Sequence, residues 1–145
     1  VKYNKKDGDN MSEEGIYDAR VSAVGVSAKT GEEYVGYDGK KLNPSRLFSI
    51  HEKLKKRIER EEKKLIQKKG KKYFQEKNNG IISYEPWGFD FWAEFHVANQ
   101  ALYNGEDLSD IFISANIIDK GKGETPPNPI CNNCKKILYD MNFQS

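Results

Sequence analysis

The sequence predicts an α/β fold: a small mixed sheet with helices packed on both faces in a three-layer arrangement. Three observations predict it. Residues 19–38 read as two short strands around a turn. Leu47, Ile50, Leu54, Ile58 and Leu65 then recur at helical spacing, and Ile111 to Ile118 is a β-branched run of strand length. Elements that are apolar on a face or stripe must bury it against one another, and strand, helix and strand in this order favour layers.

A chain of 145 residues with 37% apolar content, seven Phe and eight Tyr is enough to close one core, so one domain is expected. Residues 1–17 are polar and carry Gly, Asp and Asn, which fits a linker, and residues 18–145 form the domain. A start on Val1 with such a lead-in suggests a piece cut from a longer polypeptide, with any delivery signal outside it. No apolar run approaches the roughly 20 residues that span a bilayer, and Val1 to Asn10 is too polar for a secretory signal. The 24 basic and 22 acidic residues nearly cancel, so the net charge of +2 does not by itself announce a nucleic-acid binder.

Val21, Ala23, Gly25 and Ser27 alternate with Ser22, Val24, Val26 and Ala28, small residues suited to a strand covered on both faces. Lys29-Thr30-Gly31 supplies the turn, and Glu33 to Tyr37 returns as the second strand, ending at Asp38-Gly39. Asn43-Pro44-Ser45 offers a helix start. The helix that follows turns one apolar stripe inward and carries Lys53, Lys55, Lys56, Arg57, Arg60, Lys63 and Lys64 with Glu59, Glu61 and Glu62 on its other face. A solvated face with internal ion pairs is the commoner use of such a run, and a surface that follows phosphates is the alternative. Lys68 to Lys72 is expected to end the helix as a basic loop, and His51 reads as an ordinary surface or boundary histidine inside it.

Trp87, Phe89, Phe91 and Trp92 place four aromatics within seven residues, a density that covers a core or stacks on a base. Ala93 to Tyr103 is built of helix formers and stops at the C-cap pair Asn104-Gly105. After the 111–118 strand, a loop from Gly121 to Pro129 delivers Cys131 to the start of a last helix, Asn132 to Asp140. The two cysteines, Cys131 and Cys134, are two residues apart. Closing so short a loop removes little chain entropy, so a metal site or a redox pair is favoured over a fold-stapling disulfide.

This order resembles the cytidine-deaminase-like superfamily, and within it the YwqJ-like deaminases of bacterial polymorphic toxins, from about Ala19 to Leu138. The resemblance rests on Val21-Ser22-Ala23-Val24 with Thr30-Gly31 and Tyr34-Val35-Gly36, on Ala93-Glu94-x-His96 followed by Asn99-Gln100-Ala101-Leu102, on Leu108-Ser109-Asp110, and on Cys131-Asn132-Asn133-Cys134. It implies Zn2+ as cofactor, held by Cys131, Cys134 and a third ligand just before the Ala93-Glu94 pair. It also implies that Glu94 is the catalytic acid-base, taking a proton from zinc-bound water and passing it to the leaving amine. Trp87, Phe89 and Phe91 would wall a base pocket, and Asn99 or Gln100 would hydrogen-bond a base edge. The implied activity is zinc-dependent deamination of a nucleobase, cytosine first, in nucleic acid or a nucleotide. The implied setting is a C-terminal toxin module secreted from a bacterium, acting in the target-cell cytoplasm and matched by a cognate immunity protein.

One position departs from the pattern. Trp92 stands where Cys or His is expected, and an indole nitrogen donates but cannot ligate. Tryptophan and cysteine codons differ by a single base, so an inactivating change is one origin for it. His96 is the remaining ligand candidate, one turn along the same face. A second alignment takes His96-Val97-Ala98 as a His-x-Glu motif with Ala98 in place of the glutamate. Two other classes stay open: a non-catalytic relic fold or zinc-stabilised binding module acting through the basic helix, and a redox role for Cys131 and Cys134.

Overall fold

The computed structural model describes residues 21–38, 49–117 and 130–144. The lead-in through residue 17, Ala19, the Asn43-Pro44-Ser45 start with Leu47, Ile118 and the Gly121 to Pro129 loop lie outside them.

The hairpin forms as the alternation predicts. Strand β1 (Val21–Ser27) pairs antiparallel with β2 (Glu33–Tyr37), with Val24 opposite Val35. Gly31 takes φ +76° in the turn, a conformation that costs glycine least. On its other edge β1 pairs antiparallel with β3 (Ile111–Ile117), Val24 facing Ser114. A two-residue strand, β4 (Asn142–Phe143), runs parallel to β3, giving a mixed four-stranded sheet in the order β2-β1-β3-β4.

Helix α1 (Glu52–Lys69) begins later than its apolar spacing suggests. His51 is its N-cap rather than part of it: the His51 Nδ1 accepts a hydrogen bond from the Lys53 amide at 3.1 Å. Leu54 and Leu65 are buried on the inner stripe. The expected basic loop at Lys68 to Lys72 is instead a break between two helices. Gly70, at φ +82°, turns the chain, and α2 (Lys71–Lys77) restarts because Phe74 anchors it in the core. Helix α3 (Ala93–Tyr103) has the expected bounds. Helix α4 (Asn132–Ile137) ends short of Asp140. The reason is Arg57: its guanidinium donates to the Ile137 carbonyl at 2.9 Å and to both Asp140 oxygens at 2.8 Å, pulling the chain into a turn.

Helix α3 crosses β1, β2 and β3, and glycines set how closely. A Cβ at Gly36 would collide with the Ala93 carbonyl and press on His96, and one at Gly25 would collide with Val97. The N-terminal turn of α3 is therefore held against the sheet backbone to backbone. The described helices cover this one face. On the opposite face Val24, Val26, Val35 and Phe112 remain 36–44% exposed, so a second helical layer is not found among the described residues. No helix among them is long and apolar enough to cross a membrane.

Candidate functional site at two helix starts

Glu94 stands in the first turn of α3, and Cys131 is the N-cap of α4 with Cys134 in that helix's first turn. The fold brings the two starts together. Glu94 and Cys134 are fully buried and Cys131 is 8% exposed. The carboxyl and the sulfurs are close enough that a charge on one raises the pKa of the others.

Among the described residues neither Glu94 oxygen has a hydrogen-bond partner. Burial pushes its pKa up to about 7; its own amide offsets part of this without reaching hydrogen-bond geometry, and the charges of Cys131 and Asp38 push further. Such a group holds its proton far more readily than an exposed glutamate does. Asp38, which closes β2 and accepts from the Val21 amide at 3.0 Å, was read from sequence only as a strand end.

The two thiols are unequal. The Cys134 thiol donates to Cys131, holding Cys131 near a pKa of about 7; burial opposes this, while the Cys134 amide, 3.5 Å from the sulfur, and the nearby Trp87 indole assist. Cys134 is pushed well above its usual value by that same bond and by burial. The arrangement favours ionisation of Cys131 over Cys134.

Asn133, between the cysteines, secures the aromatic loop. Its side chain accepts from the Tyr84 amide at 2.9 Å and donates to the Trp87 carbonyl at 3.1 Å, and neighbouring Asn132 donates to Glu85 at 3.1 Å. The loop then stacks. Trp87 and Trp92 lie 5.2 Å apart and nearly parallel at 9°, with Phe91 at 5.6 Å from Trp92 and 5.7 Å from Trp87. Among the described residues neither buried indole nitrogen has an acceptor in hydrogen-bond geometry, although the Trp87 N–H lies near enough to Cys131 to favour its thiolate. Trp92 is also the N-cap of α3 and offers no side-chain acceptor to the first-turn amides.

Other expected site residues are placed elsewhere. Phe89 is buried edge-on to Tyr84 and faces a shallow cavity of about 330 Å³ shared with Ile50, Ile58 and Ile82. Asn99 accepts from the His51 amide at 2.8 Å and donates to the Ser49 carbonyl at 3.3 Å, tying α3 to the start of α1. Gln100 donates to the Val35 carbonyl at 2.7 Å. His96 packs against β2 at Gly36, and Ala98 is fully buried in the core.

A zinc site that keeps an open position needs three protein ligands. The described residues bring two sulfurs together, but no group of three His, Cys, Asp or Glu among them could hold a metal ion. His96 does not complete the set, and at the expected third position the Trp92 indole points an unpaired donor into a buried space. The residues as they stand do not fit zinc. No family model, no curated protein and no solved structure matches the chain, so its own residues and their geometry are what bear on function.

Proposed function

We propose that this chain is the nucleobase-deaminase-type domain of a secreted bacterial toxin, with cytosine as the first candidate base, in a form whose metal site lacks one ligand at Trp92. One observation carries the reading: a fully buried carboxyl with no hydrogen-bond partner among the described residues lies against two thiols where two helices begin. A buried polar group left unsatisfied costs stability, so its retention is explained by work done there. With a pKa near 7, Glu94 is suited to accept a proton and return it to a leaving amine in a dry site. The Trp87 and Phe91 rings offer flat apolar walls to a base.

The incomplete ligand set favours a second statement about the chain as it stands: with Trp92 in place it is a non-catalytic domain that keeps the architecture of the enzyme. The reading also implies a cognate immunity protein that covers or distorts this site, and action in the cytoplasm of a target cell. The experiment is ammonia release from cytidine and deoxycytidine by Trp92→Cys supplied with zinc. Trp92→Ser, which leaves the same space without a thiol, and the double change Trp92→Cys with Glu94→Gln are the controls. Release by Trp92→Cys alone is expected, with the added Glu94→Gln lowering it roughly 100-fold or more. A folded, zinc-loaded Trp92→Cys that releases no ammonia from any nucleobase would remove the deaminase reading.

A further inference from the structure

The basic run does not spread evenly over α1. Residues 63–77 hold seven lysines and one glutamate in a chain whose net charge is only +2. All seven are exposed, and among the described residues only Lys64 and Lys72 have acidic partners, Glu61 at 3.1 Å and Glu76 at 3.7 Å. The turn at Gly70 folds α2 back beside this ridge and opens a cavity of about 240 Å³, lined by Lys69, Lys77, Tyr73, Phe74, Tyr84 and Pro86 among others. Tyr73 is 39% exposed with the Lys69 ammonium 4.6 Å above its ring. The Tyr84 ring has the Lys136 ammonium at 5.2 Å. Glu85 also lines the cavity, accepting from Asn132 at 3.1 Å, and sets one negative charge against the two lining lysines.

The cavity ends one residue short of the candidate site along the chain. Its far wall is Tyr84 to Pro86, and the next residue is Trp87, which stacks with Trp92 and lies beside Cys131. Lysines attract phosphates and are indifferent to sequence, while exposed rings stack on bases that are not paired in a helix. The volume suits one or two stacked groups and has no room for a duplex. Apart from Tyr73, the exposed large apolar residues of the described chain lie outside 63–77, which argues against a membrane surface.

We propose that the ridge and cavity formed by residues 63–77 and Tyr84 bind single-stranded nucleic acid and lead it past Pro86 to the Trp87 and Trp92 stack. This rests on the proposed function in one respect only: it names the polymer, rather than a free nucleotide, as the substrate class of that site. Binding itself needs neither metal nor chemistry, so it is measured on the chain with Trp92 in place. A failure here leaves ammonia release from free cytidine by Trp92→Cys untouched, and the converse also holds.

The test is fluorescence anisotropy with labelled single strands of about 12 nucleotides, DNA and RNA, titrated between about 50 and 200 mM salt. Affinity should fall with salt at a log-log slope of about −0.7 per phosphate engaged. Replacing Lys69, Lys71 and Lys77 by Gln should weaken binding about tenfold or more and flatten the slope by about 2. Tyr73→Ala should weaken it about tenfold with the slope unchanged. Lys53, Lys55 and Lys56→Gln, an equal loss of charge at the other end of α1, should change affinity less than threefold, a bound of roughly the size left to general attraction. Four results would overturn the proposal: no binding at low salt, equal loss in the two triple variants, tighter binding of duplex DNA or phosphatidylserine vesicles, and competition by polyglutamate as strong as by the single strand.

Discussion

Two glutamates bracket α3, and both are buried, yet their surroundings are opposite. Glu94 at the N-terminal end has no hydrogen-bond partner and burial pushes its pKa up to about 7. Glu106, just past the C-terminal end, accepts from Ser27 at 2.8 Å, Thr30 at 2.7 Å and Tyr34 at 2.8 Å. Burial alone would raise the Glu106 pKa, but those three hydroxyls, with Lys29 nearby, hold it below the usual carboxylate range. One end of the helix thus leads to a carboxylate that fastens the hairpin turn to the fold, and the other holds a carboxyl with no partner among the described residues. A satisfied buried charge explains itself by the structure it joins; an unsatisfied one points to a function.

Reversing the pH dependence is the largest way to break this contrast. The folded pKa of Glu94 is raised, so its contribution is intact below the unfolded pKa of about 4.3 and is lost as pH rises toward 7. Between pH 4 and pH 8, Glu94→Gln should therefore gain stability relative to the parent by up to about 3 kcal/mol, read by urea unfolding across that range. A constant difference would mean the carboxyl has found a partner.

Glu106 should bend the other way. Its folded pKa is lowered, so its stabilisation is present above the unfolded value and lost as pH falls through the folded one. Glu106→Gln should cost about 2 kcal/mol at pH 7, the low side for three bonds to a charged acceptor because Thr30 is exposed to water. The difference should shrink toward pH 3. Equal stability of Glu106→Gln and the parent at pH 7 would show that the hydroxyls hold the turn without the charge.

A smaller effect sharpens the same distinction at Asn99, which sits between the two glutamates. Asn99→Ala should lower stability by about 1 kcal/mol, a fall of a few degrees in Tm, because the His51 amide and Ser49 carbonyl lose their partner. Single-strand affinity should not change. A loss of affinity at full stability would return Asn99 to the base-reading role that its motif suggests.

The hairpin and the bounds of α3 were legible in the sequence for local reasons, whereas the meeting of Glu94 with the cysteines, 37 to 40 residues further on, followed only from the family resemblance. Thr30-Gly31 and Asn104-Gly105 punctuate the chain, with Gly31 and Gly105 both at positive φ, and the motif spacing sets which residues begin each helix. What was not legible depends on distant partners. Asn99 and Gln100 resemble base readers in a one-dimensional motif, but their amides are taken up by Ser49, His51 and Val35, 48 to 65 residues away. Glu106 owes its role to residues 72 to 79 positions earlier. Helix α2 was missed because a glycine between lysine pairs reads as a loop, and only the burial of Phe74 restarts the helix. Asn133 carried one signal, its place between the two cysteines, and its role as a loop anchor depends on bonds to Tyr84 and Trp87, 46 to 49 residues away.

The incomplete ligand set at Trp92 is the claim on which the rest turns, and metal stoichiometry addresses it without reference to any substrate. After dialysis against buffered zinc, Trp92→Cys should hold one equivalent per chain, while the parent and Trp92→Ser hold well under a tenth of that, as expected when two sulfurs are all that the described residues bring to the site. Full occupancy in the parent, or none in a folded Trp92→Cys, would contradict the account.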